Sequence, residues 1–374
     1  MATIDGMNSF HGGLKFRALA HHLRERISEG QWPVGSRLPT ERELAHTHQV
    51  GVNTVRRAVN VLVDEQLVQR RQGSGTFVIG TPARSRPQQQ RFVGVLVPST
   101  SYFYPKVIDG IERVMSTAGA RVLLSSSDYD VGLEMEQTRQ LLAAQVSGLL
   151  LVPNLHVMDD PQGYVDQMRA FPVPYVLVER RPPRPEPDDP TAFVCSNHLA
   201  GGYTAVRHLV ELGHERLGHL GRLLTGTSEP VAQAFTAAVA AFGLEDVPQA
   251  VQRREEWSTE EIAAYARMCK EEGITGVFCL GDRDAARLVK QARAIGLAIP
   301  RDLSIVAYDD ETADVGEVPL TAISPPKSEV GALAAELLLR RMERGPQTAV
   351  PQVQLQPRLV VRASTGRALA RAGR

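Results

Sequence analysis

Residues 52–79 read VNTVRRAVNVLVDEQLVQRRQGSGTFVI. Apolar residues recur at helical spacing through the first half of this stretch, which predicts a helix from about Val52 to Glu65. At about 100° per residue, Val59 and Leu62 fall about 40° and about 20° from Val55, defining one buried face. Asn53, Arg56, Arg57 and Asn60 fall on the other side. Arginine pairs with guanine or phosphate and asparagine with adenine, so such a face on a short helix suits a major groove. An ordinary solvated face would look the same on the helix alone. The next residues decide between the two. Leu67–Arg71 and Thr76–Ile79 are strand-like runs around Gln72-Gly73-Ser74-Gly75, a hairpin whose tip is flanked by Arg70 and Arg71. A glycine-rich tip lets backbone approach a phosphate closely.

N-terminal to this stretch, Phe16, Leu19, Ala20, Leu23 and Ile27 repeat at helical spacing from Leu14, and Gly30, Pro33 and Gly35 mark the stop. Thr40-Glu41-Arg42-Glu43 is a capping box that starts a second, short helix with Leu44 and Ala45 inward. Three helices and a hairpin make a winged helix-turn-helix. Residues 14–80 resemble the DNA-binding domain of the GntR family over its whole length. The resemblance is carried by Gly30–Ala45 (GQWPVGSRLPTERELA), Thr54–Ala58 (TVRRA) and Gln72–Val78 (QGSGTFV). It implies that Arg42, Asn53, Thr54, Arg56, Gln72, Gly73, Ser74, Gly75 and Thr76 meet double-stranded DNA, beside Arg57 from the helical face. Gly51 and Val52 stand where relatives commonly have Ser or Thr followed by Arg, so the operator sequence is expected to differ.

Residues 81–91, TPARSRPQQQR, read as an extended linker. Up to residue 91 the chain carries 13 Lys and Arg against 7 Asp and Glu, a net of +6, so the rest of this neutral chain is net −6. A basic end on an acidic body suits a polyanion at one end only. The 374 residues suggest two or three domains, and 43% hydrophobic with 22% charged residues gives each a core. No apolar run is long enough to span a bilayer, and the N-terminal MATIDGMNSFHGG has no basic-then-apolar signal. Cys195, Cys269 and Cys279 form no CxxC pair, which fits buried thiols in a reducing cytoplasm.

Beyond residue 91, short apolar strands alternate with amphipathic helices, which implies an α/β body with parallel sheets. Strands are expected at 93–97, 122–125, 148–152, 175–178, 194–196, 216–220, 276–280, 304–308 and 354–361. Helices are expected near 105–118, 133–144, 200–212, 230–242, 259–272, 283–295 and 327–343. The proline-rich run at 182–187 suggests two lobes: one of about 92–187 plus 322–344, the other of about 190–320 plus 348–365. Ligands of such sheets bind at the carboxyl ends of the strands, here in a cleft between lobes. No phosphate loop, dinucleotide fingerprint, nucleophile elbow or HExxH is present, so no enzyme and no cofactor are expected. His208 and His214 lack further ligands at metal-like spacing. Asp309-Asp310 follows a strand, where a ligand contact fits better than acid–base catalysis.

Residues 92–365 resemble the effector domain of the LacI/GalR family, a fold shared with periplasmic sugar-binding proteins. Ordered motifs carry this, among them Val93–Pro98 (VGVLVP), Leu212–Arg216 (LGHER), Ile299–Val306 (IPRDLSIV), Tyr308–Asp310 (YDD) and Arg358–Arg362 (RLVVR). A GntR-type head on such a body resembles a subgroup of arabinose-responsive repressors. The resemblance implies a homodimer, an inverted-repeat operator and a small, sugar-related effector touching Phe103, Tyr104, Glu179, Arg180, Ser196, Asp282 and Asp309. Core packing is the alternative for Phe103 and Tyr104. Val231, Gly281, Ser196 and Pro325 replace polar anchors of relatives, so a less polar, larger or differently oriented ligand is expected. A body that only dimerises is the alternative to one that senses.

Overall fold

The computed structural model describes residues 12–71, 74–80, 91–184, 189–222, 225–245, 250–252, 257–345 and 349–369. The chain divides into two compact units, residues 1–90 and 91–374.

The first unit holds helices α1 (Gly12–Ser28), α2 (Glu41–Thr47) and α3 (Val52–Asp64), then antiparallel strands β1 (Val68–Arg71) and β2 (Gly75–Val78). The predicted face of α3 is the buried one: Val55, Ala58, Val59 and Leu62 pack with Leu23 and Ile27 of α1. Each large aliphatic side chain so buried contributes roughly 1.5–3 kcal/mol. The capping box of α2 is formed, with the Glu43 amide donating to Thr40 Oγ1 at 3.3 Å and the Thr40 amide to Glu43 Oε2 at 2.7 Å. Helix α3 starts at Gly51 without a side-chain cap, and glycine there costs only a few tenths of a kcal/mol against Ser or Thr. A bridge between Arg37 and Phe77 lays the segment before α2 against the hairpin.

The second unit holds two six-stranded sheets. The first has the order β13-β7-β6-β5-β3-β4, from β3 (Arg91–Val97), β4 (Ala120–Ser126), β5 (Leu149–Leu151), β6 (Tyr175–Val178), β7 (Phe193–Ser196) and β13 (Gln352–Leu355). The second has the order β14-β12-β11-β10-β8-β9, from β8 (Leu217–Arg222), β9 (Ala250–Gln252), β10 (Gly276–Cys279), β11 (Ser304–Tyr308), β12 (Thr321–Ser324) and β14 (Arg358–Val360). Every pairing is parallel except β12 with β14. Parallel sheets are covered on both faces, so their strands read as continuous apolar runs. Thus Val93, Val95 and Val97 meet α4 (Tyr104–Thr117) and α11 (Lys327–Arg344), while Leu96, Leu149 and Leu151 face Leu141 and Met168 on the other side. In the second sheet Val277 and Ile305 face α9 (Thr259–Glu271) and α10 (Asp282–Ala294), and Phe278 and Val306 face α7 (His198–Glu211) and α8 (Ser228–Ala241).

Sheet membership redraws the expected lobes. Strands β7 and β13 lie in the first sheet and β12 in the second, so the chain crosses after Ser196, after Ser324 and between Leu355 and Arg358. The single strand expected over 354–361 is two strands in different lobes, because Pro357 has no amide to continue a ladder. The sequence pattern also missed β9, β12 and α6 (Pro161–Met168). Lys327 Nζ and Lys106 Nζ, both on helices of the first lobe, pair with Glu311 Oε1 beyond β11 at 2.7 and 3.1 Å.

Candidate nucleic-acid interface and ligand cleft

In the first unit Asn53, Arg56, Arg57 and Asn60 are exposed on α3, with Thr54 half-buried at its start. Arg56 Nε lies 3.1 Å from Glu41 Oε2, and Arg70 of the wing lies 3.2 Å from Glu41 Oε1. One carboxylate of α2 therefore holds a guanidinium of α3 and one of the hairpin. Arg57 stacks over the Phe16 ring, 4.0 Å from its centroid, so its apolar contact is with α1. Arg42 is exposed on α2. At the wing, Ser74 is exposed and Thr76 half-buried, whereas Gln72 and Gly73 lie outside the described residues. Gly75 has φ +114°, and a Cβ there would lie 2.5 Å from Arg37 Nε. Glu41 and Arg37 were missed by sequence reasoning; the available signal was that both flank the Leu38-Pro39-Thr40 turn facing the hairpin.

In the second unit a cavity of about 540 Å³ opens at the carboxyl ends of both sheets, where ligands of such sheets bind. Phe103, Tyr104, Glu179, Arg180 and Asp309 line it. Tyr104 also belongs to the first lobe's core, and Phe103 packs against that core. Of nine non-glycine residues with left-handed φ among the described residues, five line this cavity: Tyr102, Asp128, Tyr129, Glu179 and Asp309. Such strain persists only where surroundings enforce it, and it gathers at functional sites.

Arg180 is buried, with Nε donating to the Pro153 carbonyl at 3.1 Å, one terminal nitrogen to the Glu179 carbonyl at 2.7 Å and the other to the Tyr104 hydroxyl at 3.3 Å. The Glu179 carboxylate accepts from the Ser196 amide at 3.0 Å and the Ser196 hydroxyl at 2.8 Å. Burial pushes its pKa up, against those two hydrogen bonds. Burial and the neighbouring Asp282 push Asp309 up to about 8, opposed by Lys327 and a hydrogen bond from Tyr102.

Two expected contacts lie behind the wall. Ser196 is buried and spends its donors on Glu179. Asp282 turns inward and accepts the amides of Asp310, Glu311 and Thr312 at 3.2, 2.6 and 2.8 Å, so it shapes the loop that presents Asp309. Val231 is wholly buried in the core, Pro325 is buried at a lobe crossing, and Gly281 lines the cavity with φ +99°. A guanidinium comes instead from Arg222 at the end of β8, whose Nε lies 2.7 Å from Asp284 Oδ2. Tyr102, Tyr129, Arg222, Arg283 and Asp284 are wall residues the sequence reading did not name. Arg222 was signalled by its place at a strand end and Tyr102 by its place a few residues past one.

The chain matches the family model of bacterial regulatory proteins, gntR family, over residues 16–78, and that of a periplasmic binding protein-like domain over 206–365. It is 31% identical to the arabinose metabolism transcriptional repressor of Geobacillus stearothermophilus, over 94% of this chain and 97% of that protein. Among solved structures it resembles the transcription regulator GntR from Chromobacterium violaceum, with TM-score 0.63, 26% identity and coverage of 74% of this chain and 99% of that one. A LacI family regulator from Enterococcus faecium with bound ribose shares the fold, with TM-score 0.60, 24% identity and coverage of 74% and 99%. Among the described residues no helix is long and apolar enough to cross a membrane. With a relative this similar end to end and both family models matched in order, the chain belongs to the gntR family of transcriptional repressors whose DNA-binding head is joined to a periplasmic binding protein-like effector domain.

Proposed function

We propose that the chain is a cytoplasmic, homodimeric repressor that holds an inverted-repeat operator and releases it when a small, sugar-related molecule occupies the cleft. Two heads related by a two-fold axis read two half-sites of such an operator. Arg42, Asn53, Thr54, Arg56, Arg57 and the wing tip Gln72–Thr76 meet the DNA. Phe103, Tyr104, Glu179, Arg180 and Asp309 meet the ligand, with Arg222 supplying an anchor from β8. Because Val231 and Gly281 carry no polar anchor, the ligand lies in a different orientation from the one those positions would fix. The observation that carries the sensing role is the concentration of left-handed backbone in the cavity wall, five such residues around about 540 Å³. The ribose-bound neighbour and the arabinose repressor support a carbohydrate-like ligand.

Selection of bound fragments from sheared genomic DNA, at ~150 mM salt to suppress non-specific binding, tests the DNA half. A short inverted repeat is expected. Recovery of unrelated fragments only, or a protein that sediments as a monomer at micromolar concentration, overturns the dimeric-repressor reading. Loss of operator binding on adding a small-molecule cell extract tests the sensing half. A complex indifferent to every fraction leaves a body that does not sense.

A further inference from the structure

Guanidiniums from both lobes reach the cleft wall. A guanidinium carries five N–H groups. Arg180, only 8% exposed, uses three of them on two carbonyls and the Tyr104 hydroxyl. Glu179 acts on it through space, but among the described residues no carboxylate forms an ion pair with it. Gly226 of the other lobe closes over it, since a Cβ there would lie 2.6 Å from the guanidinium carbon. Arg283, in the first turn of α10, lines the same cavity with its guanidinium carbon 4.8 Å from the Tyr102 ring centroid. It too pairs with no carboxylate among the described residues. Burial pushes the Asp309 carboxyl of the same wall up, away from the ionised form.

The carboxylates of the wall are engaged elsewhere. Asp284 is held by Arg222 at 2.6 Å and faces Arg287 at 3.6 Å. Glu179 is bound by Ser196, and Asp128 accepts from the Ser126 hydroxyl at 3.0 Å. A neutral polyol would leave the buried Arg180 with Glu179 as its neighbouring carboxyl, one that burial pushes toward its neutral form, and would bring no charge to Arg283, exposed at the mouth. Hydroxyls of Ser99, Ser101, Thr225 and Thr227 around the rim suit a polyhydroxylated partner.

We propose that the cleft takes a hydroxyl-rich small molecule bearing an anionic group, whose charge Arg180 of the first lobe and Arg283 of the second offset together. This rests on the reading of the cleft as an effector site. Calorimetry on the full chain would compare D-galacturonate and D-gluconate, and separately D-glucose 6-phosphate, with neutral D-galactose and D-glucose. At least one anionic compound is expected to bind on the order of tenfold tighter than its neutral counterpart, the worth of one hydrogen bond to a charged group. The two arms identify carboxylate or phosphate as the anion. R283Q is expected to abolish that preference, so that anionic and neutral compounds bind the variant alike. Neutral sugars binding as tightly, a preference that survives R283Q, or no binding in any arm overturns the proposal. Passing the DNA-releasing cell extract over an anion exchanger separates the two readings. Activity retained on the resin supports the anionic ligand. Activity in the flow-through overturns it while the effector reading stands.

Discussion

Asp309 holds its carboxyl where an ionised aspartate is least welcome, among Asp282, Glu311 and the Tyr102 ring, with Lys327 the nearby cation. Its pKa of about 8 compares with an ordinary value near ~3.9 in an unfolded chain. Between those values the folded state binds the extra proton, so stability falls as pH rises through that window and the loss is complete above the folded value. Asp309→Asn removes the titration. The melting temperature of the parent should fall more steeply than that of the variant from pH 5 to pH 9, with the variant ahead at the alkaline end. Parallel curves would show that Asp309 ionises freely. At this scale the sequence was half legible. A carboxylate following the strand end at Tyr308 announced Asp309, but nothing in the order of residues told that Asp282 turns inward to three amides. Side-chain direction past the last ladder residue depends on loop φ, and at Asp309 and Glu179 that φ is one the residue type rarely adopts.

Helices α4 and α11 meet through two glycines. A Cβ on Gly110 would lie 2.1 Å from the Ser328 carbonyl oxygen, and one on Gly331 would lie 2.0 Å from that of Val107. Mid-helix glycine ordinarily costs about 1 kcal/mol relative to alanine, so alanine at either place would stabilise an isolated helix. Here the obstacle is backbone, which cannot step aside, and the helices must separate over the core they share with Val93 and Val95. Gly331→Ala should therefore destabilise the chain by roughly 1–3 kcal/mol, the usual cost of overpacking. The check is a lowered urea midpoint with an unchanged slope; a raised midpoint would mean the helix pair slides without cost. Both helices were readable from their periodicity. Helix α6 was not, since only Val165 and Met168 are buried along it. Strand β12, Thr321–Ser324, was missed because polar residues at both its ends leave only Ala322 and Ile323 as an apolar run. The two strands at 352–360 merged because each is an extended run, and the lobe change at Pro357 leaves no mark in hydropathy.

At the scale of the whole chain the division of labour was visible as charge: net +6 up to residue 91 and net −6 beyond, with the two compact units meeting at 90–91. Strand-to-lobe assignment was not visible, because three crossings are long-range pairings that local pattern does not encode. An acidic body gains nothing from phosphates, so any influence of the cleft on DNA affinity has to act through a change of state rather than through added contact. That places a thermodynamic constraint on the proposed sensing. If a ligand lowers operator affinity by some factor, operator must lower affinity for that ligand by the same factor, and typical couplings run to about 1–3 kcal/mol, or roughly 5–150-fold. Anisotropy titrations of operator with and without saturating ligand give one factor, and calorimetry of ligand with and without saturating operator gives the other. Equal factors above unity are expected at any one salt concentration. Equal factors of one would reduce the body to a scaffold. An operator affinity that keeps falling in proportion to ligand, with no plateau, would mean instead that the ligand competes for the DNA-binding face itself, because a ligand coupled from the cleft can lower that affinity only by its fixed factor.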